Sequence, residues 1–378
     1  MKKFVVAPDS FKGTISAAEA AKIMAEQVKK RFPECSVVSL PIADGGEGTA
    51  DCFLAAVPGA ELIPMTVKGP FLEYLGAYYV RFGDTAVIEL AQAAGITLIE
   101  GRLDPMKAST YGVGEMVLHA VKNGCRNIVL GLGGSCSNDG GVGIAAAMGA
   151  KFYDKEGNEF LPVGGTLKQI AQYHDSACRD VLKDCNVTVL CDIENPLYGE
   201  NGAAYVFAPQ KGADGEMVRE LDEGLRHLAG LITYQRGVDV SSLPGAGAAG
   251  GCGAGIVAFL GGSLCSGIQM VLELMRFDDR IRNADLIFTG EGKLDGQSAG
   301  GKAVSGVAAH GARQKIPVIA VAGAIDEGAE LLYKQGVTAM FSITEKPEPF
   351  EEAKLHTRRN LRNTMENILR LYDIERKS

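Results

Sequence analysis

Short uninterrupted apolar runs, each ending in a loop rich in glycine and aspartate, recur along this chain and constrain its fold more than any other feature. Residues 3–7 (KFVVA) run into PDSFKG (8–13), and residues 37–40 run toward ADGGEGT (43–49). Residues 128–132 lead into GGSCSNDGG (133–141), and residues 187–191 into DIENPL (192–197). Residues 286–288 lead into TGEGKLD (289–295), and residues 318–321 into AGAID (322–326). Unbroken apolar runs of this length read as strands buried on both faces. Helical patterns lie between them. The first starts at Ser16, with Glu19 completing a capping box. Ala20, Ile23, Met24 and Val28 form its apolar stripe, and Lys29, Lys30 and Arg31 close it. Strands alternating with helices imply an α/β fold with mostly parallel sheets.

The 378 residues suggest two domains. One stretch breaks the alternation: residues 77–82 and 85–90 flank Gly83 and Asp84, a hairpin turn, so an antiparallel pair is expected near 77–90. The reading is two α/β domains, the second inserted into the first. Residues 1–60 and 275–378 make a discontinuous parallel domain, and 61–274 make the insert. Strands from both ends of the chain then share one sheet. A last strand is expected at 339–343 and one long amphipathic helix at 350–372, used for packing or for a homodimer contact.

Bulk properties exclude several classes. A composition of 46% hydrophobic and 22% charged residues fills proper cores. A net charge of −8 argues against nucleic acid or an anionic membrane as the main partner, because both reward clustered Lys and Arg. The nine cysteines show no C-x-x-C and the five histidines are dispersed, so reduced cytoplasmic thiols are expected and a zinc site is not. The start of the chain lacks a signal-peptide pattern. Residues 240–272 carry no charge, but the glycines of PGAGAAGGCGAG (244–255) suit a buried loop before a core helix better than a membrane span.

Forty-nine glycines are about double the usual share, and they cluster at strand ends. In open α/β sheets ligands bind beyond the carboxyl ends of the strands. Glycines there either make tight turns or aim backbone amides at an anion. The acids discriminate. Asp44, Glu47, Asp139, Asp192, Glu194, Glu291 and Asp295 all fall in such loops. Each alone could cap a helix. Together they suit a divalent cation, a base, or hydroxyl binding. The run 245–250 has dinucleotide spacing but follows no clear strand. Residues 296–302 (GQSAGGK) approach a P-loop, but Ala303 stands where Ser or Thr is required and the strand is read as ending far upstream. Lys302 is kept as a weak phosphate contact.

These loops together resemble the bacterial type I glycerate kinase family, over nearly the whole chain and in the family's order. The matching stretches are APDSFKG (7–13), PIADGGEGT (41–49), LGGSCSNDGG (132–141), DIENPL (192–197), FAPQKGA (207–213), PGAGAAGG (244–251) and TGEGKLDGQS (289–298). Cys136 replaces a commoner small residue. The resemblance implies ATP-dependent phosphorylation of D-glycerate, generally to 2-phosphoglycerate, by two α/β domains facing a cleft.

Such a transfer depends mostly on positioning and charge neutralisation. Asp192, at a strand end before the rigid Asn195-Pro196 turn, is assigned to orient the hydroxyl and accept its proton. Lys12 and Lys211, with Ser10, are assigned to the glycerate carboxylate or the moving phosphate. Gly133, Gly134, Ser135 and Asn138, with Asn195, Gly247, Gly250 and Gly251, are assigned to substrate or phosphate. Asp44 and Asp295 are the expected Mg²⁺ contacts. Rival readings are a kinase giving 3-phosphoglycerate, a dinucleotide-dependent dehydrogenase, and a non-catalytic sensor.

Overall fold

The computed structural model describes residues 1–99 and 101–374. In chain order the first strands are β1 (Lys3–Pro8), β2 (Ser36–Ser39), β3 (Glu61–Lys68), β4 (Tyr74–Phe82) and β5 (Thr85–Glu89). Next come β6 (Asn127–Gly131), β7 (Lys151–Tyr153), β8 (Glu159–Phe160), β9 (Gln172–His174), β10 (Asn186–Leu190) and β11 (Ser263–Cys265). The last are β12 (Leu286–Leu294), β13 (Val318–Ile325) and β14 (Val337–Ser342). The chain divides into two compact units. Unit 1 holds Met1–Asp44, Asp51–Val57 and the described residues from Ser266 onward; unit 2 holds Gly45–Ala50 and Pro58–Cys265.

Unit 1 is built on a five-stranded sheet in the order β14-β13-β12-β1-β2, parallel throughout. Phe4 of β1 anchors its core, stacked on Phe32 at 5.3 Å and edge-on to Tyr372 at 5.7 Å. The helices Ala17–Arg31 and Thr357–Tyr372 bury Met24, Val28, Leu361 and Met365 in the same core. Such packing, rather than helix propensity, supplies most of the helices' stability.

Three local expectations change in this unit. Ser16 does cap the first helix, accepting from the Glu19 amide at 3.2 Å, but the Glu19 carboxylate takes Arg358 Nη2 at 2.9 Å instead of closing the box. The strand read at 286–288 continues to Leu294, because pairing with β13 persists from Ile287–Val318 to Leu294–Ile325. Glu291 is therefore a strand residue. The expected single C-terminal helix is three pieces: Phe350–Ala353, a 3₁₀ turn Lys354–His356, and Thr357–Tyr372. The Thr357 hydroxyl donates to the Lys354 carbonyl at 3.1 Å, competing with the helical ladder at that point.

Unit 2 carries a mixed sheet in the order β11-β10-β6-β5-β4-β3. β5, β6, β10 and β11 run parallel, while β4 pairs antiparallel with β3 and β5. The β4–β5 turn is the hairpin read from Gly83-Asp84. A small antiparallel sheet, β8-β7-β9, completes the unit. The uncharged stretch forms the buried helix Ala248–Leu260, entered through left-handed residues Ala249, Gly250 and Gly251. Among the described residues no helix is long and apolar enough to cross a membrane.

The glycine run therefore starts a helix and packs backbone against backbone. Gly250 has φ +67°, and a Cβ there would lie 2.2 Å from the Ser137 carbonyl oxygen. Its own carbonyl accepts from the Gly140 amide at 3.0 Å. Gly250→Ala should cost about 2 kcal/mol or more, combining left-handed strain with a backbone clash. Urea unfolding of the variant against the parent measures it.

Candidate active site

The carboxyl ends of the unit 1 strands open into a cavity of about 620 Å³. The loop after β1 enters it first. The Asp9 amide donates to the Gly290 carbonyl at 2.8 Å, which ties the loop to β12. The chain then folds back, with Phe11 N–H donating to the Ile15 carbonyl at 3.0 Å and the Thr14 hydroxyl donating to the Phe11 carbonyl at 2.6 Å. Gly13 makes this turn at φ +75°. Asp9 is buried, whereas Lys12 at the tip of the turn is exposed.

Three carboxylates lie on one wall of the cavity: Asp9, Asp44 and Glu291. Burial, reinforced by the charges of Asp44 and Glu291 and opposed by the Ser10 amide and Lys12, raises the Asp9 pKa to about 7. Burial also raises that of Glu291, against the Ser298 hydroxyl hydrogen-bonded to it and the charge of Lys302. Asp295 differs. Its Oδ1 accepts the Gln297 and Ser298 amides at 2.9 and 3.3 Å, and its Oδ2 faces Lys293 Nζ at 3.4 Å. Burial pushes its pKa up, but these partners together hold it below the usual range.

Mg²⁺ takes one or two protein carboxylates when phosphates supply the other oxygens. Among the described residues no group of three or more His, Cys, Asp or Glu is arranged to hold a metal by itself. Asp44, beside two further acids on the cavity wall, fits the cation's preference for hard oxygen. Asp295, already engaged by amides and a lysine, fits it less well.

Unit 2 gathers a second set of the residues singled out in the sequence. Lys211 ends a short 3₁₀ turn, Pro209–Lys211, and is only 1% exposed. Its Nζ donates to Ser135 Oγ and to the Ser137 carbonyl, both at 2.7 Å. Burial lowers its pKa to about 8, against the opposing influence of Cys252, Cys136 and Asp139. Ser137 Oγ and both polar atoms of the Asn138 side chain are buried without a hydrogen-bond partner. Asp139, read from sequence as a strand-end acid, is fully buried and structural. It accepts from Thr110 N at 2.8 Å, Thr110 Oγ1 at 2.9 Å and Gly141 N at 3.0 Å.

The remaining assigned residues are more scattered. Asp192 is exposed two residues beyond β10. Asn195 Nδ2 donates to the Asn201 carbonyl at 2.9 Å, which fixes the turn before Leu197. Gly133 is half-buried, where a Cβ would meet the Gly46 backbone, and Gly134 is exposed. Gly247, Gly250 and Gly251 are buried in packing contacts, so the phosphate cradle expected of them is a backbone junction. Ser10, Lys12, Asp44, Asp295 and Lys302 all line the unit 1 cavity. The sequence reading missed Asp9, although it lies inside the APDSFKG stretch. Spacing gives no sign of burial beside two other acids.

The glycerate kinase family model matches residues 4–373. This chain belongs to that family. It is 42% identical to a glycerate kinase of Bacillus cereus over 98% of each chain, and 42% identical to a glycerate 2-kinase of Escherichia coli over 93% of each. A crystal structure of a protein assigned as glycerate kinase 2 from Salmonella typhimurium LT2 superposes with a TM-score of 0.89 at 37% identity, covering all of both chains. Family membership makes this a phosphotransferase with ATP as donor and glycerate as acceptor.

The Asp9 setting has a consequence for stability. Its pKa of about 7 in the folded chain lies above the ordinary 3.8. The folded state is thus most favoured by this group below pH 4, and loses that advantage as pH rises through about 7. At most about 4 kcal/mol is at stake, from roughly 1.4 kcal/mol per pKa unit. Asp9→Asn, which keeps the acceptor for the Ser10 amide, should remove this slope. Chemical denaturation should find the variant more stable than the parent at pH 8, and the two converging toward pH 4.

Proposed function

We propose that this chain transfers the γ-phosphoryl group of ATP to the 2-hydroxyl of D-glycerate, giving 2-phosphoglycerate and ADP. The similarity to the Escherichia coli glycerate 2-kinase, over 93% of both chains, carries this choice of product. In the step, the hydroxyl oxygen bonds to the γ-phosphorus, the bond to the β–γ bridging oxygen breaks, and the hydroxyl proton passes to a carboxylate. The enzyme acts in the cytoplasm, in the breakdown of small organic acids.

Lys12 and Lys211 are the proposed cations for the substrate carboxylate and the moving phosphoryl group. Ser10, Ser135 and Asn138, with the Gly133 and Gly134 amides, are proposed contacts in the same two units. Mg²⁺, when bound with the ATP phosphates, would be held at Asp44, with Asp295 reached through water, and supplies neutralising charge. Two carboxylates compete for the proton: Asp192, at an exposed strand end, and Asp9, buried with a pKa of about 7. A base poised near the working pH is the more effective one.

Two measurements test this reading. Phosphorus NMR of the product should show 2-phosphoglycerate; a resonance of 3-phosphoglycerate alone would reverse the assignment. In coupled ADP release, Asp9→Asn should lower kcat about 10²-fold or more, and Asp192→Asn less than tenfold. The opposite ranking returns the proton to Asp192.

A further inference from the structure

The unit 1 cavity lies where the strand order reverses. From β1 the sheet grows through β2 on one side and through β12, β13 and β14 on the other. This is the doubly wound order in which the crevice between the first strand and its returning neighbour takes a ligand. Here that crevice is walled by Asp9 and Lys12 after β1 and by Glu291 and Gly292 of β12.

The lining of the cavity is mixed. It includes acids with Lys12 and Lys302, and the apolar Ile343, Phe350 and Ala353, with Ala324 of β13, beside Glu348 and Lys354. Phe350 is 58% exposed, and its ring meets the loop after β1, where a Cβ on Gly13 would stand 3.5 Å from Phe350 Cζ. One part of the ring is thus seated on backbone while more than half of the residue stays open. Glycerate has no apolar face to cover it. A three-carbon acid also fills little of 620 Å³, a volume suited to a ligand of drug-like size.

We propose that this cavity takes the adenosine part of ATP, with the exposed Phe350 ring as the surface on which adenine stacks and the phosphates running toward Lys12 and Lys302. Base stacking on an aromatic side chain is sequence-tolerant and strong enough to fix a nucleotide. The acids on the inner wall repel bare polyphosphate, so the nucleotide enters as its divalent-cation complex. The proposal rests on ATP as the donor and adds the location of its base.

The chain contains no tryptophan, so Phe350→Trp creates a single indole at the stacking surface. The position is exposed, and a thermal melt checks that the variant folds as the parent does. ADP and adenosine should each quench the indole saturably, and glycerate should not. Quenching by glycerate alone, or no response to any of the three, overturns the proposal. In steady-state kinetics Phe350→Ala should raise KM for ATP about tenfold and leave KM for glycerate within about twofold. An unchanged KM for ATP also overturns it. The kinase reading fails separately: if the parent releases no ADP with glycerate yet the indole responds to ADP, the nucleotide site stands and the acceptor is wrong.

Discussion

The parallel pairing of β1 with β12 organises unit 1. It runs from Phe4 opposite Leu286 to Pro8 opposite Gly290, and joins parts of the chain about three-quarters of its length apart. Each strand is buried on both faces, so the pairing satisfies backbone groups that water cannot reach. The Asp9 amide extends it by one further bond to the Gly290 carbonyl. That bond fixes the start of the loop bearing Asp9, Ser10 and Lys12. Asp9, just after β1, and Glu291 of β12 face a common cavity because their strands are neighbours.

In unit 2 a buried carboxylate has a different use. Asp139 gathers Thr110 and Gly141 around itself, and so sets the path of the loop that also carries Ser135 and Asn138. Lys211 then reaches that loop from the opposite direction, with Nζ on Ser135 and on the Ser137 carbonyl. A lysine so deeply buried is held by hydrogen bonds to neutral groups, which explains why its pKa falls rather than rises. The two units thus use charged groups in opposite ways: one crowds acids at an open cavity, the other buries single charges among dipoles.

Much of this was legible in the residues. Unbroken apolar runs located β1, β6, β10 and β13, and the Gly83-Asp84 turn located the β4–β5 hairpin. The order of the glycine-rich loops carried the family. Other features depend on what a side chain meets in three dimensions. Gly290 and Gly292 looked like a loop, yet they are strand residues whose missing side chains allow close approach of β13 and of the loop after β1. The run at 245–251 looked like a phosphate cradle, yet Gly250 is shaped by the Ser137 carbonyl behind it. Asp139 and Asp9 look alike in sequence, one following Ser-Asn and the other Ala-Pro. Only their neighbours make one a strut and the other a titratable wall. Phe350 reads as the start of one long helix, because spacing alone does not show that the helix breaks after Ala353.

The same β1–β12 pairing sets an order of events during synthesis. Unit 2 is drawn almost entirely from the continuous stretch Pro58–Cys265, so its strands can pair once that stretch has left the ribosome. β1 emerges before that stretch, but its central neighbour arrives only with residues 286–294. Until then, among the described residues, β1 has β2 as its one native sheet partner. Contacts of such long sequence separation are slow to form, and an apolar strand kept waiting is open to wrong partners. The apolar sequence KFVVAP thus stays without its β12 neighbour until residues 286–294 have been made.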